Sequence, residues 1–309
     1  MTISGPIGVL GGGLIGMSWA SLFLARGAEV IVVDPRPEAV EDLDRFVAAA
    51  WTNLAALELT LSATPARATV TTDISALSGA VYVQENGPDR IGIKQDLVAR
   101  LEEVIAPEVI IASSTSSLKA SDIQAHARHP ERILVAHPMN PPHMVPMVEL
   151  VAGDRTAPET VDRAEAFYLE MKRVPIRVKK EVAGHLANRL TSALYREAVH
   201  MVAEGIADVA DIDKAIAYGP GMRWALMGPH LTYHLGGGAG GYRHYLDHLG
   251  PTQEARWREL GETPLSEALK DRLVAGVEAE LAGQDEATLT QRRDAALVAL
   301  AGLKARFGL

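Results

Sequence analysis

Cysteine is absent from the 309 residues, which excludes disulfides, thiolate nucleophiles and thiolate metal sites. Basic residues are in the minority, with 30 Lys and Arg against 39 Asp and Glu and a formal net charge of -9. Nucleic acids and acidic membrane surfaces are bound through clustered Lys and Arg. We therefore expect neither as the main partner. The hydrophobic share of 48% is that of an ordinary globular protein.

One stretch without charge, from Ile7 to Ala25, has the composition of a leader or a membrane span. A signal peptide carries positive residues before its apolar run, whereas the first charged residue here is Arg26, behind it. Glycines at positions 11, 12, 13 and 16 interrupt the run and favour a tight turn. We expect a cytoplasmic protein without a membrane segment.

The first half of the chain alternates short apolar runs with helical patterns, which is typical of a parallel sheet with crossover helices. The predicted strands are IGVL, EVIVVD, AVYVQ, VIIAS, RILVAH, MVELVAG and VPIRVK, and the predicted helices are Leu14–Arg26, Glu38–Leu59, Ile91–Val104 and Ala157–Met171. After Lys180 only helical patterns remain, for example Gly184–Gly205, Pro264–Leu281 and Glu286–Arg306. The sequence predicts an α/β Rossmann-type dinucleotide-binding domain over residues 1–180. An all-helical C-terminal domain for substrate binding and dimerisation is predicted over residues 181–309.

A glycine motif follows the first strand, with Gly11, Gly13 and Gly16 in G-x-G-x-x-G spacing. These glycines permit a tight turn, a close approach to a pyrophosphate and close packing of the helix on the strand. Asp34 ends the second strand, where a carboxylate accepts hydrogen bonds from the adenosine ribose and repels a 2′-phosphate. The pattern favours NAD, although Arg36 nearby would suit NADP, and a plain glycine turn with a capping aspartate is the alternative. The predicted contacts in this region are Gly11, Gly13, Leu14, Ile15, Gly16 and Asp34.

The segment VAHPMNPPHMVPMVELV places His137 at the end of a strand and Glu149 on the next strand. A proline-rich loop between them can bring the carboxylate to the imidazole. A carboxylate on one ring nitrogen fixes the tautomer, so the other nitrogen can take a hydroxyl proton while hydride leaves the same carbon. On pattern alone, a buried structural pair is the more frequent interpretation of a histidine beside a glutamate.

Several motifs together resemble the L-3-hydroxyacyl-CoA dehydrogenase superfamily. They are the glycine fingerprint, SSTSSL, HPMNP with a glutamate twelve residues after the histidine, and GHLANRL, in the same order. The segments HPMNPPHMVPMVELV and GPGMRWALMGPHLTYHLGGGAGG are most similar to the branch containing L-gulonate 3-dehydrogenase (lambda-crystallin) and L-carnitine dehydrogenase. The chain departs from the common pattern at Gly12, at Asn86, and at His185, where an aromatic residue is usual.

The resemblance implies a role for each of several residues. It implies that His137 is the catalytic base and that Glu149 is its partner. It also implies that Ser116, Asn140 and Asn188 hydrogen-bond the reacting oxygen of the substrate or its neighbours, that Glu85 and Lys94 lie near the nicotinamide, and that the helical domain forms a homodimer. Without the resemblance, Ser116 and Asn188 would be interpreted as caps of a loop and a helix.

The substrate class follows from charge. Coenzyme A carries several phosphate charges, which protein surfaces normally meet with Lys or Arg. The first lysine is Lys94, and Arg45 is the only basic residue in the segment Glu38–Thr64, near which the family places coenzyme A. Charge thus disfavours coenzyme A, and the resemblance implies NAD-dependent oxidation of a small L-3-hydroxyacid, with an L-gulonate-like acid as the first candidate. L-Carnitine, a short acyl-CoA thioester and a non-catalytic NAD-binding structural protein remain alternatives.

The helical half contains further candidates for substrate contact. Arg223 can pair with a free substrate carboxylate, or form a salt bridge at a domain interface. Tyr218, Trp224 and Tyr233 can face a trimethylammonium group, or pack in an interface. No metal is expected, because the pairs His230/His234 and His244/His248 have no third ligand nearby.

Overall fold

The computed structural model describes residues 4–62, 64–65 and 67–309. The described chain divides into two units. The first extends to Arg189 and includes Asp294–Val298, and the second comprises Leu190–Arg293 and Ala299–Leu309. Within the described residues, no helix is both long and apolar enough to cross a membrane.

A single sheet of eight strands forms the centre of the first unit. In chain order the strands are β1 (Ile7–Leu10), β2 (Val30–Val33), β3 (Thr69–Thr71), β4 (Tyr82–Glu85), β5 (Ile110–Ser113), β6 (Ile133–Pro138), β7 (Met147–Ala152) and β8 (Val174–Val178). The spatial order is β3-β2-β1-β4-β5-β6-β7-β8, and every neighbouring pair is parallel except β6 with β7. The order reverses between β1 and β4, which is the point where open α/β sheets bind ligands.

Helices cover both faces of this sheet. They are α1 (Leu14–Ala25), α2 (Ala39–Ala56), α3 (Ile91–Glu102), α4 (Ala120–Ile123) and α5 (Pro158–Glu170). Alternate strand residues face opposite sides, so Val32 joins one apolar cluster with Trp19 while Val33 joins the other with Leu101. Strands buried on both faces explain the continuous Val and Ile runs of the sequence.

The second unit is built from helices. They are α6 (Ala187–Ala203, whose first turn belongs to the first unit), α7 (Val209–Tyr218), α8 (Pro220–Trp224), α9 (Pro229–Gly236), α10 (Gly241–Glu259), α11 (Glu267–Leu281) and α12 (Glu286–Phe307). Residues 183–309, all of them described, contain no strand, as the sequence predicted. The small core of this unit contains Val199, Val202, Ile212 and Leu269.

Candidate active site

The carboxyl ends of the central parallel strands bring the predicted site residues to one edge of the sheet. β1 ends in the glycine loop, β4 ends at Glu85, and His137 is the penultimate residue of β6. Parallel strands present their carboxyl ends together, so residues far apart in sequence meet here.

The glycine loop has the geometry of a pyrophosphate cradle. Gly11 has a φ of +94°, which favours glycine, and a Cβ on Gly16 would lie 1.9 Å from the carbonyl oxygen of Gly11. A Cβ on Gly13 would meet nothing within 4 Å, so open space lies above that residue. A cavity of about 640 Å³ adjoins the loop and is lined by Gly11, Gly13, Leu14, Asp34 and neighbouring residues. α1 begins at Leu14 and offers its free N–H groups to an anion. These features fit a dinucleotide.

Asp34 lies directly after β2, and its carboxylate accepts three hydrogen bonds. Its Oδ2 accepts a hydrogen bond from the Gly12 N–H at 2.7 Å, and its Oδ1 accepts from the backbone N–H and the Nε of Arg36, both at 2.9 Å. Burial alone would raise the pKa of Asp34, but the hydrogen bonds from Arg36 and Gly12 outweigh burial and lower it. The carboxylate is therefore ionised, and Arg36 is paired with it. This arrangement favours NAD over its 2′-phosphorylated form.

His137 and Glu149 are directly opposite each other on the antiparallel strands β6 and β7. The imidazole Nδ1 lies 2.6 Å from Glu149 Oε2, and both side chains are buried. Glu149 Oε1 accepts hydrogen bonds from the N–H groups of Leu186 and Ala187, at the start of α6. Burial would raise the pKa of Glu149, but the bonds from His137 and from these two N–H groups lower it. An ionised carboxylate only accepts, so Nδ1 donates to it, and Nε2 is the ring nitrogen that this contact leaves free.

Glu85 and Lys94, both predicted near the nicotinamide, form a buried ion pair. The Nζ of Lys94 lies 2.9 Å from Oε2 of Glu85 and donates to the carbonyl oxygen of Gly87 at 3.0 Å. The hydroxyl of Ser113 also donates to Glu85 Oε2, at 2.6 Å. Both charged side chains are about 1% exposed, so the carbonyl and hydroxyl contacts supply the hydrogen bonding that a buried pair needs.

A cleft of about 350 Å³ joins these groups. The predicted residues along its wall are Ile15, Lys94, Ser116, His137, Asn140 and Asn188. The amide of Asn188 donates to the carbonyl oxygen of Ser116 at 3.4 Å, which links the start of α6 to the SSTSSL segment. The sequence did not predict a functional role for three polar residues that also line the cleft, namely Asn86, Asp89 and Ser114. Only the position of Asp89 between Glu85 and Lys94 could have pointed to it.

His185 is a buried second histidine beside the candidate base. Its ring centroid lies 5.1 Å from that of His137, and its backbone has a φ of +49°. Burial, together with the charge that His137 can carry, lowers the pKa of His185. Its Nε2 contacts the carbonyl oxygen of Thr115 at 3.3 Å, whereas its Nδ1 has no hydrogen-bond partner among the described residues.

The candidates of the helical half lie in the second unit. Arg223, on α8, is exposed. Tyr218 and Trp224 are exposed, and Tyr233 stacks on Tyr245 with the ring centroids 4.4 Å apart. In the pair His230/His234, each imidazole contacts Tyr242, one through the phenol oxygen and the other through the backbone N–H. Within the part of the chain that the structure describes, no three His, Asp or Glu side chains are grouped as metal ligands.

Comparison with known proteins decides the family. The model of the 3-hydroxyacyl-CoA dehydrogenase NAD binding domain matches residues 6–182, and that of the 3-hydroxyacyl-CoA dehydrogenase C-terminal domain matches residues 184–271. The chain belongs to the 3-hydroxyacyl-CoA dehydrogenase family. It is an NAD-dependent dehydrogenase that acts on a CH–OH group.

Two relatives and one solved structure are similar to nearly the whole chain. This dehydrogenase is 46% identical to L-carnitine dehydrogenase of Streptomyces griseus, over 94% of this chain and 88% of the relative. It is 45% identical to L-carnitine dehydrogenase of Streptomyces coelicolor, over 98% and 95% of the two chains. The crystal structure of 5-formyl-3-hydroxy-2-methylpyridine 4-carboxylic acid 5-dehydrogenase, described as an NAD-dependent dismutase, is 29% identical. It superposes with a TM-score of 0.84 over 97% of this chain and 98% of the other.

The pairing of His137 with Glu149 in this dehydrogenase is suited to abstraction of a proton. His137, whose Nε2 is not bound to Glu149, lines the cleft together with the polar residues Ser116, Asn140 and Asn188. The glycine loop and the cavity beside it supply room for the cofactor at the same edge of the sheet.

Proposed function

We propose that this dehydrogenase oxidises L-carnitine to its 3-keto acid with NAD, and that His137 is the base. The main support for His137 as the base is its 2.6 Å contact with the ionised Glu149 beside the cleft. The substrate is supported by the relatives named L-carnitine dehydrogenase, which share 45–46% identity over nearly the whole chain. The sequence alone ranked an L-gulonate-like acid first and L-carnitine second, and the names of these relatives favour the second.

The charge of the protein supports a substrate without coenzyme A. Arg45, the only basic residue in the segment from Glu38 to Thr64, lies on α2 and is paired with Asp42 at 2.6 Å. In the cleft, the cation of Lys94 is paired with Glu85, while Asp89 adds a further negative charge. This distribution suits a trimethylammonium group better than the phosphates of coenzyme A.

The proposed reaction removes the proton of the substrate hydroxyl and a hydride from the carbon that bears this hydroxyl. The substrate hydroxyl lies between His137 Nε2 and the polar groups of Ser116 and Asn188. His137 Nε2 takes the hydroxyl proton, the C–O bond becomes a carbonyl, and the hydrogen on the same carbon leaves with its electron pair. When bound, NAD supplies the hydride acceptor. Glu149 stabilises the imidazolium that forms, and Asn140 contributes a further hydrogen bond at the mouth of the cleft.

The test is NAD reduction at alkaline pH with L-carnitine, L-gulonate, L-3-hydroxybutyrate and L-3-hydroxybutyryl-CoA side by side, with D-carnitine as the stereochemical control. We expect kcat/KM for L-carnitine to exceed that for every other compound by at least about tenfold. Turnover of the thioester alone would contradict the charge argument, and preferential turnover of L-gulonate would restore the first candidate of the sequence analysis.

We also propose that the helical unit forms a homodimer. Large apolar side chains are exposed on it, among them Leu190 at 67%, Tyr218 at 80% and Trp257 at 64%. A soluble monomer seldom exposes so many, and a second copy of the chain would cover them. Sedimentation at micromolar concentration should give twice the chain mass, and a monomer alone would contradict the proposal.

We further propose Arg223 as a partner for the substrate carboxylate. Its guanidinium is exposed, and no hydrogen bond or ion pair engages that side chain among the described residues. Arg223→Lys should raise KM for L-carnitine and leave the NAD Kd unchanged, since Lys keeps the charge but loses the bidentate geometry. An unchanged KM would refute this role.

A further inference from the structure

Asp89 is an acidic residue of the cleft that so far contributes only its negative charge to the proposed function. It lies in the loop between β4 and α3, and its side chain is 34% exposed. Its Oδ2 accepts hydrogen bonds from both the backbone N–H and the hydroxyl of Ser116, each at 3.2 Å, and from the hydroxyl of Ser117 at 3.3 Å. One carboxylate oxygen therefore holds Ser116 by main chain and side chain at once.

The other oxygen of Asp89 faces the buried ion pair of Lys94 with Glu85. Asp89 Oδ1 lies 3.5 Å from Lys94 Nζ, which in turn is bound to Glu85. Burial would raise the pKa of Asp89, but bonds from Thr115 and Ser116 and the charge of Lys94 lower it. Asp89 is thus an ionised bridge between the buried ion pair of Glu85 with Lys94 and the SSTSSL segment.

We infer that Asp89 is a positioning residue, which fixes the backbone and the hydroxyl of Ser116 in the place where the substrate binds. This inference rests on the proposed function, because it takes Ser116 as a substrate-binding residue. The bond from the Ser116 N–H to an ionised carboxylate fixes the loop, so the hydroxyl of Ser116 lies at a defined point. When the substrate binds, that hydroxyl can turn its single proton from Asp89 to the substrate oxygen. Without Asp89, the hydroxyl of Ser116 rotates freely and the N–H of Ser116 loses its acceptor.

The test compares Asp89→Ala and Asp89→Asn with Ser116→Ala and with the double variant Ser116→Ala/Asp89→Ala. Asp96→Asn is the matched control, because Asp96 is an exposed carboxylate further along α3. We expect Asp89→Ala to lower kcat/KM about 10- to 100-fold, a typical cost of a misplaced contact in an active site. Asp89→Asn should lose less, because its amide oxygen still accepts from the Ser116 N–H. The NAD Kd and the melting temperature of both variants should stay close to those of the wild type.

The double variant separates positioning from an independent role. If Asp89 acts through Ser116, removing Asp89 from the Ser116→Ala enzyme should cost less than about threefold more. A full additional loss there, or an increase in the NAD Kd that accounts for the whole effect, would overturn the inference.

A second measurement needs no substrate, and so distinguishes failure of this inference from failure of the proposed function. Amide hydrogen exchange over residues 114–118 should be faster in Asp89→Ala than in the wild type and in Asp96→Asn. Unchanged exchange would overturn the inference. A wild-type enzyme that turns over no compound of the panel would refute the proposed function alone, and the exchange result would still decide the role of Asp89.

Discussion

His137 lines the cleft, and its Nδ1 contacts the ionised carboxylate of Glu149 while its Nε2 is free of that contact. Replacing His137 by Ala removes the proton acceptor and leaves the glycine loop and the Asp34 contacts in place. We expect kcat to fall by about 10²- to 10⁴-fold, the usual share of general base catalysis, with the NAD Kd within about twofold of wild type. Stopped-flow reduction and fluorescence titration measure the two quantities. His126→Ala, at an exposed position, is the control, and wild-type turnover in His137→Ala would refute the assignment.

The carboxylate of Asp34 is expected to set the preference for NAD over NADP. Asp34→Asn keeps the shape of the side chain but removes the charge that repels a 2′-phosphate and that holds Arg36 at 2.9 Å. Hydrogen bonds to a charged group contribute about 1.5–3 kcal/mol, so the affinity for NAD should fall about 10- to 100-fold. The released guanidinium should make NADP a substrate.

The double variant Asp34→Asn/Arg36→Ala checks the second half of this prediction. It should lose the NADP activity that Asp34→Asn gains, while NAD activity stays at the level of the single variant. If Asp34→Asn keeps wild-type affinity for NAD, the carboxylate does not contact the ribose.

At the scale of elements, two glycines of the glycine loop are expected to serve different purposes. Gly16 is needed for folding, and Gly13 for binding of the cofactor. A Cβ on Gly16 would lie 1.9 Å from the carbonyl oxygen of Gly11, whereas a Cβ on Gly13 has open space around it. Gly16→Ala should therefore lower the free energy of unfolding by about 1–3 kcal/mol, as overpacking does. Gly13→Ala should leave that free energy within about 0.5 kcal/mol of wild type and still weaken NAD binding, because the added methyl group lies where the pyrophosphate is expected. Urea unfolding and NAD titration of both variants test this contrast, and equal effects on stability would contradict it.

The elements that the sequence predicted are those with a strong periodic signal. All seven predicted strands are present, and the four predicted helices of the first half agree with α1, α2, α3 and α5 to within a few residues. β3 was missed because it has three residues, Thr69–Thr71, at the edge of the sheet, and none of them is fully buried. A strand so short and polar has no apolar run by which to recognise it.

Contacts inside the site were predictable only where the spacing in sequence encodes them. The His137–Glu149 pair follows from a strand, a stiff loop and an antiparallel partner strand, and the structure confirms that contact. The hydrogen bond that Ser116 donates to Asp89 joins two loops and spans 27 residues of sequence. It forms because β4 and β5, which precede these loops, are neighbours in the sheet. No periodicity in the sequence encodes which strands are neighbours, so the role of Asp89 required the structure.

At the scale of the whole molecule, His143 is expected to make the folded protein less stable in acid. It lies in the loop between β6 and β7, where its backbone N–H donates to the hydroxyl of Ser18 at 3.0 Å and its Nδ1 lies 2.8 Å from the same oxygen. Burial lowers the pKa of His143 from the ordinary 6.5 to about 4. Above pH 6.5 the ring is neutral in the folded and unfolded chain alike, so it has no effect on stability there.

Between pH 6.5 and about 4 the unfolded chain binds a proton at His143 that the folded chain does not, so the free energy of unfolding falls as the pH drops. The gap between 6.5 and about 4 corresponds to roughly 3 kcal/mol. His185, whose pKa burial also lowers, adds to the loss in the same direction.

Carboxylates titrate in the same range, so the measurement is a difference between urea unfolding of the wild type and of His143→Gln, at pH 7 and at pH 4. The wild type should lose roughly 3 kcal/mol more than the variant, because glutamine still hydrogen-bonds Ser18 but takes up no proton. Parallel losses in the two proteins would mean that the acid sensitivity of the fold lies in its carboxylates and in His185, and not in His143.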